Sequence, residues 1–200
     1  MKKFLISLNL LLLSATVLAT SAWAGPLEDS LAADAKGDYA TELKIIRPLA
    51  VQGVDWAQYN LGIMYDQGQG VAQNYAEAVK WFRLAAAQGH ASAQFNLGVS
   101  YDNGQGVAQN YAEAVKWYRL AAAQGHASAQ FNLGTSYFNG QGVVQDYIRA
   151  HMWFNLAAVS GGKEAVKARD IVASKMTSQQ IGEAQKRARE CQARQFKNCD

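Results

Sequence analysis

The chain has 200 residues, 19 of them basic and 16 acidic. Lys2 and Lys3 lie in an N-terminal segment that reads as a removable leader, and without them the balance is 17 basic to 16 acidic. That near-neutrality removes the high isoelectric point as an argument for nucleic acid, and no nucleic-acid partner is expected.

The leader comes first in chain order. Lys2 and Lys3 form a basic start, Phe4 to Ala19 is a nearly continuous apolar run, and Ala22-Trp23-Ala24 is a small-x-small cleavage site. Residues 1–24 therefore read as a secretory signal peptide, with the mature chain starting at Gly25. The alternative, an uncleaved membrane anchor, needs a longer apolar run. No membrane span is expected after cleavage.

Residues 25–53 read as a partial N-terminal repeat with a shortened first helix. Pro26 suits a helix start, with Glu28 and Asp29 in the first turn. Gly37-Asp38 makes a turn and cap, followed by Tyr39, Leu43, Ile46, Leu49 and Ala50 at roughly helical spacing. Pro48 is expected to kink or end this helix.

Three blocks follow: residues 54–89, 90–125 and 126–161. The second matches the first at 28 of 36 positions, and the third matches the second at 24 of 36. A fixed period of this size marks stacked helical repeats. In the first block Ala57, Leu61, Gly62 and Tyr65 give helix A, and the run Gly68-Gln69-Gly70-Val71 breaks it. Asn74 is expected to cap helix B with Glu77 as a capping-box partner, and Asn110 and Glu113 repeat the pair. In the third block Asp146 keeps the cap, and Arg149 loses the box. Helix B is expected to bury Tyr75, Ala78, Trp81, Phe82 and Ala85. Gly62, Gly98 and Gly134 sit mid-helix at a cost of ~1 kcal/mol each relative to alanine, which points to a close approach by the partner helix. After Gly162 the repetition stops. Residues 162–200 read as two capping helices, the second opened by Thr177 with Gln180 in the box position. Cys191 and Cys199, the two cysteines, read first as a disulfide in an exported chain. Two free thiols or an intermolecular bridge are the alternatives.

The motif A-Q-[YF]-N-L-G-x-x-Y of Ala57–Tyr65, the turn G-Q-G-V, the helix B pattern A-x-x-W-[FY]-x-x-A-A of Ala78–Ala86, and the closing Gln88-Gly89 resemble the Sel-1-like repeat, a relative of the tetratricopeptide repeat. The third block departs at His151, Met152 and Ser160. The resemblance implies an all-α, right-handed α-solenoid of stacked antiparallel helix pairs. It also implies a non-catalytic scaffold for protein–protein contact, in exported bacterial members tied to the cell envelope or to host interaction. A periplasmic or secreted monomer that binds a protein or peptide partner follows. A cysteine-rich branch of the family is associated with β-lactams, and the repeats here carry no cysteine. A β-lactam- or peptidoglycan-directed hydrolase and a secreted host-interaction factor are the alternative functions.

The candidate partner site is a face of helix A. At 100° per residue, Trp56, Tyr59, Ile63 and Asp66 lie opposite the core side. Their equivalents are Ser92, Phe95, Val99 and Asp102, then Ser128, Phe131, Thr135 and Phe138. In a related solenoid that face lines the concave groove. The ladder Tyr59, Phe95, Phe131 suits an extended peptide, and because it recurs with the repeat it also suits packing between repeats. The positions that differ between blocks, Trp56, Met64, Phe138, Arg149 and His151, are expected to carry the individual surface. His90 and His126 read as turn residues near helix starts. No catalytic residue, metal site or cofactor is expected: the chain has no G-x-S-x-G, H-E-x-x-H or phosphate loop.

Overall fold

The computed structural model describes residues 24–159 and 162–199. The expected leader up to Trp23, and Ser160 and Gly161 at the close of the third block, lie outside the described residues. Among the described residues every regular element is a helix. Helices α1 (Ala24–Asp34) and α2 (Tyr39–Val51) precede three pairs. These are α3 (Asp55–Gln67) with α4 (Tyr75–Ala87), α5 (Ala91–Asn103) with α6 (Tyr111–Ala122), and α7 (Ala127–Asn139) with α8 (Tyr147–Val159). Then come α9 (Lys163–Ala173) and α10 (Ser178–Ala193). Each helix from α1 to α8 packs on the next, and α10 packs back on α8. The result is an all-α repeat solenoid.

Local chemistry sets the helix starts. The side chains of Asp38, Asn74, Asn110 and Asp146 accept the backbone N–H three residues on, at 3.0–3.1 Å, so α2, α4, α6 and α8 open on one recurring cap. The expected capping boxes are absent in α4 and α6. Glu77 and Glu113 instead pair with Lys80 and Lys116, because a lysine one turn on gives the carboxylate a partner on the exposed face. Asp146 keeps its cap, and its second oxygen meets Arg149 at 3.3 Å. The full box forms at Thr177 and Gln180. Pro48 does not end α2, which runs on to Val51. The residue lies in the last turn, where it removes a single helical hydrogen bond, and its own carbonyl still accepts from Gln52 N–H at 3.1 Å.

The core of each unit comes from both helices. In α4 it is Ala78, Val79, Phe82, Ala85 and Ala86. Tyr75 and Trp81, expected inside, are half-buried. Trp81 packs on the cluster of Ile46, Leu49 and Leu61, and Trp117 on that of Ala78, Phe82 and Leu97. Each tryptophan thus seals a unit against its predecessor. Only in the last repeat, where Trp153 is 2% exposed, is it buried. The mid-helix glycines answer to the aromatic that follows the tryptophan: a Cβ on Gly62 would lie 2.6 Å from the Phe82 ring, and one on Gly98 2.6 Å from the Tyr118 ring. The closest approach is therefore by an aromatic side chain of helix B.

A second glycine fixes how units stack. Gly70, Gly106 and Gly142 lie in the loops after the A helices, all with φ between +66° and +72°. A Cβ on Gly70 would lie 2.7 Å from the carbonyl oxygen of Tyr39, the first residue of α2. On Gly106 and Gly142 it would overlap the carbonyls of Tyr75 and Tyr111. Each loop therefore rests on the backbone at the start of the preceding B helix. At the C-terminal end, Cys191 and Cys199 are disulfide-bonded with Cα atoms 5.1 Å apart. The bridged tail brings the Phe196 ring beside the Gly125 turn.

Two glycine variants separate the effects. Gly89 has φ +93° with open space at its Cβ position, so Gly89→Ala is expected to cost about 1–2 kcal/mol from backbone angle alone. Gly106→Ala adds an overlap with backbone that cannot rotate away, and is expected to cost at least about twice as much in urea unfolding. Equal losses would show that the loop contact is not tight.

Candidate functional site

The A helices carry the candidate partner face. Tyr59, Ile63, Asp66 and Val99 open into one cleft of about 300 Å³ between α3 and α5, with Asn96 and Gln105 completing its polar lining. Ser128 and Phe131 line a second, apolar cleft of about 230 Å³ between α7 and α9. Trp56 packs at the cluster of Ile46, Leu49 and Ala57. Ser92 is half-buried at the start of α5. Thr135 donates from its hydroxyl to the Phe131 carbonyl at 3.1 Å, and the Phe138 ring tilts against Tyr147 at 5.7 Å. Of the twelve residues, only Ser128 is exposed; the rest are half-buried.

The aromatic ladder is engaged within the solenoid. Tyr59, Phe95 and Phe131 tilt against Phe82, Tyr118 and Phe154, the helix B aromatics of their own repeats, at 6.1, 6.1 and 5.3 Å. Tyr59 and Phe95 are also stacked by the imidazoles of His90 and His126 from the next repeat, at 4.6 and 4.8 Å. The same imidazoles cap α5 and α7: Nδ1 accepts from the N–H of Ala93 and of Ala129, at 3.2 and 3.3 Å. Burial holds both histidines below their ordinary pKa, which suits a neutral ring acting as acceptor. Capping and stacking were not read from the sequence, although recurrence at a helix start was the signal.

Electrostatics along the face change from repeat to repeat. Asp66, Asp102 and Phe138 occupy the same position in successive repeats. Burial pushes both carboxyls above their ordinary value. Asp102 accepts from the Tyr118 hydroxyl at 3.3 Å. Asp66 has no such hydroxyl, because Phe82 stands where Tyr118 stands. Its backbone carbonyl, like those of Asp102 and Phe138, is tied by a loop glutamine: Gln73, Gln109 and Gln145 donate at 2.7 Å.

The Sel1 repeat profile matches residues 57–90, 91–126 and 127–161, more than half of the chain. The chain belongs to the Sel1 repeat family. It is similar to a Sel1 repeat protein from Oxalobacter formigenes, with 33% identity and a TM-score of 0.63 over 81% of this chain and 74% of that one. It is also similar to a protective antigen of uropathogenic Escherichia coli strains that displays an SLR fold, with 30% identity and a TM-score of 0.59 over 78% of this chain. The match spans 42% of that antigen. The cysteine-rich protein B of Helicobacter pylori shares the fold, at 20% identity and a TM-score of 0.53, over 64% of this chain and 95% of that one. No curated protein matches the chain. Sel1 repeat proteins are in general protein-interaction scaffolds. No described helix is long and apolar enough to cross a membrane.

Two positions expected at the surface of the Sel1 units are buried. Met64 is 1% exposed and His151 2%, because each faces the adjoining helix of the stack. Helix position therefore outweighs sequence variation at both. A third departure went unnoticed in the sequence. Glu42 stands one period before Ala78, Ala114 and Ala150, and like them it is buried, at 6% exposure. Its Oε2 has no hydrogen-bond partner. The side chain lines a small cavity of about 80 Å³ with Asp34, Asn60 and Gln69. Burial, and then the charge of Asp34, push its carboxyl up to about 7 from an ordinary 4.5.

That shift makes stability depend on pH. A carboxyl whose folded pKa is raised stabilises the fold fully below its unfolded value, and this contribution is lost as pH rises through the folded value. The window here runs from about pH 4.5 to about pH 7. Thermal melts are expected to show Glu42→Gln with a smaller fall in Tm between pH 5 and pH 8 than the parent chain. An unchanged pH slope would remove Glu42 as its source.

Proposed function

We propose that this Sel1 repeat protein is a non-catalytic scaffold of the cell envelope that holds an extended partner segment along its helix A face. The observation that carries the reading is the cleft between α3 and α5, where Tyr59, Ile63, Asp66 and Val99 meet. Asp66 sits there half-buried and without the tyrosine hydroxyl that Asp102 receives. A carboxylate raised by burial gains most from an incoming donor. The partner therefore places a lysine, arginine or amide at the first repeat. At the third it meets Phe138 in place of a carboxylate, and an apolar side chain fits. A preorganised face of this kind lowers the ordering cost of binding.

The non-catalytic reading rests on how the reactive groups are used. The imidazoles of His90 and His126 spend Nδ1 on helix caps and their faces on Tyr59 and Phe95. His151 is buried. Export is supported by the N-terminal run ending at Ala22-Trp23-Ala24 and by the Cys191–Cys199 bridge, which suits an oxidising compartment. Crosslinking in that compartment is the experiment expected to capture the partner.

Trp56→Ala and Phe138→Ala are expected to weaken capture of the crosslinked partner by about tenfold each. Asp66→Asn is expected to weaken it mainly at low ionic strength, where charge attraction is least screened. Far-UV circular dichroism matched to the parent chain checks that the fold is kept. Unchanged capture by Trp56→Ala and Phe138→Ala, with the fold intact, would end the groove reading.

A further inference from the structure

The repeat register shows one place where a side chain is missing. His90 stacks on Tyr59 and His126 on Phe95. One period on, the residue that would stack on Phe131 is Gly162. Its backbone has the conformation of the two histidines: φ −70° and ψ 101°, against −63° and 110° for His90 and −68° and 106° for His126. All three are the residue that opens the next A-type helix. A Cβ at Gly162 would meet nothing nearer than Ala165 Cβ at 3.6 Å and the Ala157 carbonyl oxygen at 3.7 Å, ordinary contacts. Space for the side chain exists, and the residue does not supply it.

What remains is a cleft. It is apolar, about 230 Å³, and lined by Ala127, Phe131, Ala157, Gly162 and Ala165, with Glu164 among its lining residues. The Phe131 ring is half-buried there and packs on Phe154. No other described residue is recorded stacking on it as His90 stacks on Tyr59.

We infer that this cleft is a receptor for one histidine side chain, presented by an extended segment of the partner. This deepens the groove reading of Phe131 and rests on it. The kind of ring that fits follows from the two filled copies of the site in the same molecule. There the imidazole lies at 4.6–4.8 Å from the platform ring, and the residue bearing it is extended. Offset stacking of an aromatic ring on Phe131 gives the contact its energy. Glu164 stands where Ser92 and Ser128 stand in the two filled sites and is ion-paired with Lys167 at 3.0 Å, so recognition rests on stacking and not on charge.

The test uses the full mature chain and two capped pentapeptides, Gly-Gly-His-Gly-Gly and Gly-Gly-Ala-Gly-Gly, followed by NMR at the Phe131 ring and the Ala165 amide. The histidine peptide is expected to give saturable shifts at both, and the alanine peptide none. Gly162→His places the missing ring in the cleft from within. It is expected to raise Tm and to weaken the histidine peptide by about tenfold or more. His126→Gly opens an equivalent cleft over Phe95 and is expected to add a second set of shifts there. Absence of saturation, equal binding of the two peptides, or unchanged peptide binding by Gly162→His would each overturn the inference. Partner capture that survives Gly162→His but is lost in Trp56→Ala and Phe138→Ala would also overturn it while leaving the groove reading in place.

Discussion

The solenoid depends on a backbone contact that no side chain can soften. The second glycine of each G-x-G loop lies on the carbonyl that begins the B helix one unit earlier: Gly70 on Tyr39, Gly106 on Tyr75, Gly142 on Tyr111. Two rigid pieces of main chain meet there, so the offset between units is set to within a few tenths of an ångström. The left-handed angle at these glycines and the contact act together, since only a residue without Cβ satisfies both. The rest of the interface between units then falls into register. Arg83 reaches the Tyr101 hydroxyl at 2.9 Å and Arg119 the Tyr137 hydroxyl at 2.7 Å. Gln88 spans from Gly53 to Gln58, and Gln124 from Gly89 to Gln94. These bonds repeat because the glycine contact repeats.

The same constraint explains what was legible in the sequence. A period of 36 residues, recurring caps and loop glycines are one-dimensional signals of local geometry, and they placed the helices. The mid-helix glycines were readable as close approaches because their cost in a helix demands a reason. Identity of the neighbour was not readable: that Gly62 faces the Phe82 ring and not a backbone requires the crossing of two helices. Burial failed for a related reason. Met64, His151 and Glu42 differ from their equivalents, and difference between repeats does not by itself mean exposure. In a stacked repeat, position on the helix decides burial, and substitution at a buried position changes the core. Glu42 at an alanine position is the clearest case, because it is buried like the alanines that hold the position in the later units.

The face of the A helices was placed by the helical wheel, but its character was not. The wheel separates residues by angle and says nothing of what the next unit brings. His90 and His126 cover the Tyr59 and Phe95 rings from a neighbouring repeat, so part of the ladder is mortar between units. Once that is subtracted, the free chemistry of the face lies where the repeats disagree. Phe82 against Tyr118 decides whether the facing aspartate has an internal donor. Asp102 against Phe138 decides whether the face is polar or apolar.

These two differences work only because the frame is stiff. In a chain whose units could slide, removing one hydroxyl at Phe82 would let Asp66 move towards another donor or to solvent. Here Gln73 ties the Asp66 carbonyl at 2.7 Å, and Gly70 locks the loop that carries Gln73 to the preceding unit. Asp66 is therefore held in its cleft with burial opposing its charge. On the proposed groove reading, a carboxyl held in place is a stronger recognition element than a mobile one, because the cost of ordering it is already part of the folded state. On that proposed reading, repetition supplies the stiffness and the single departures from it supply the specificity; neither would select a partner alone.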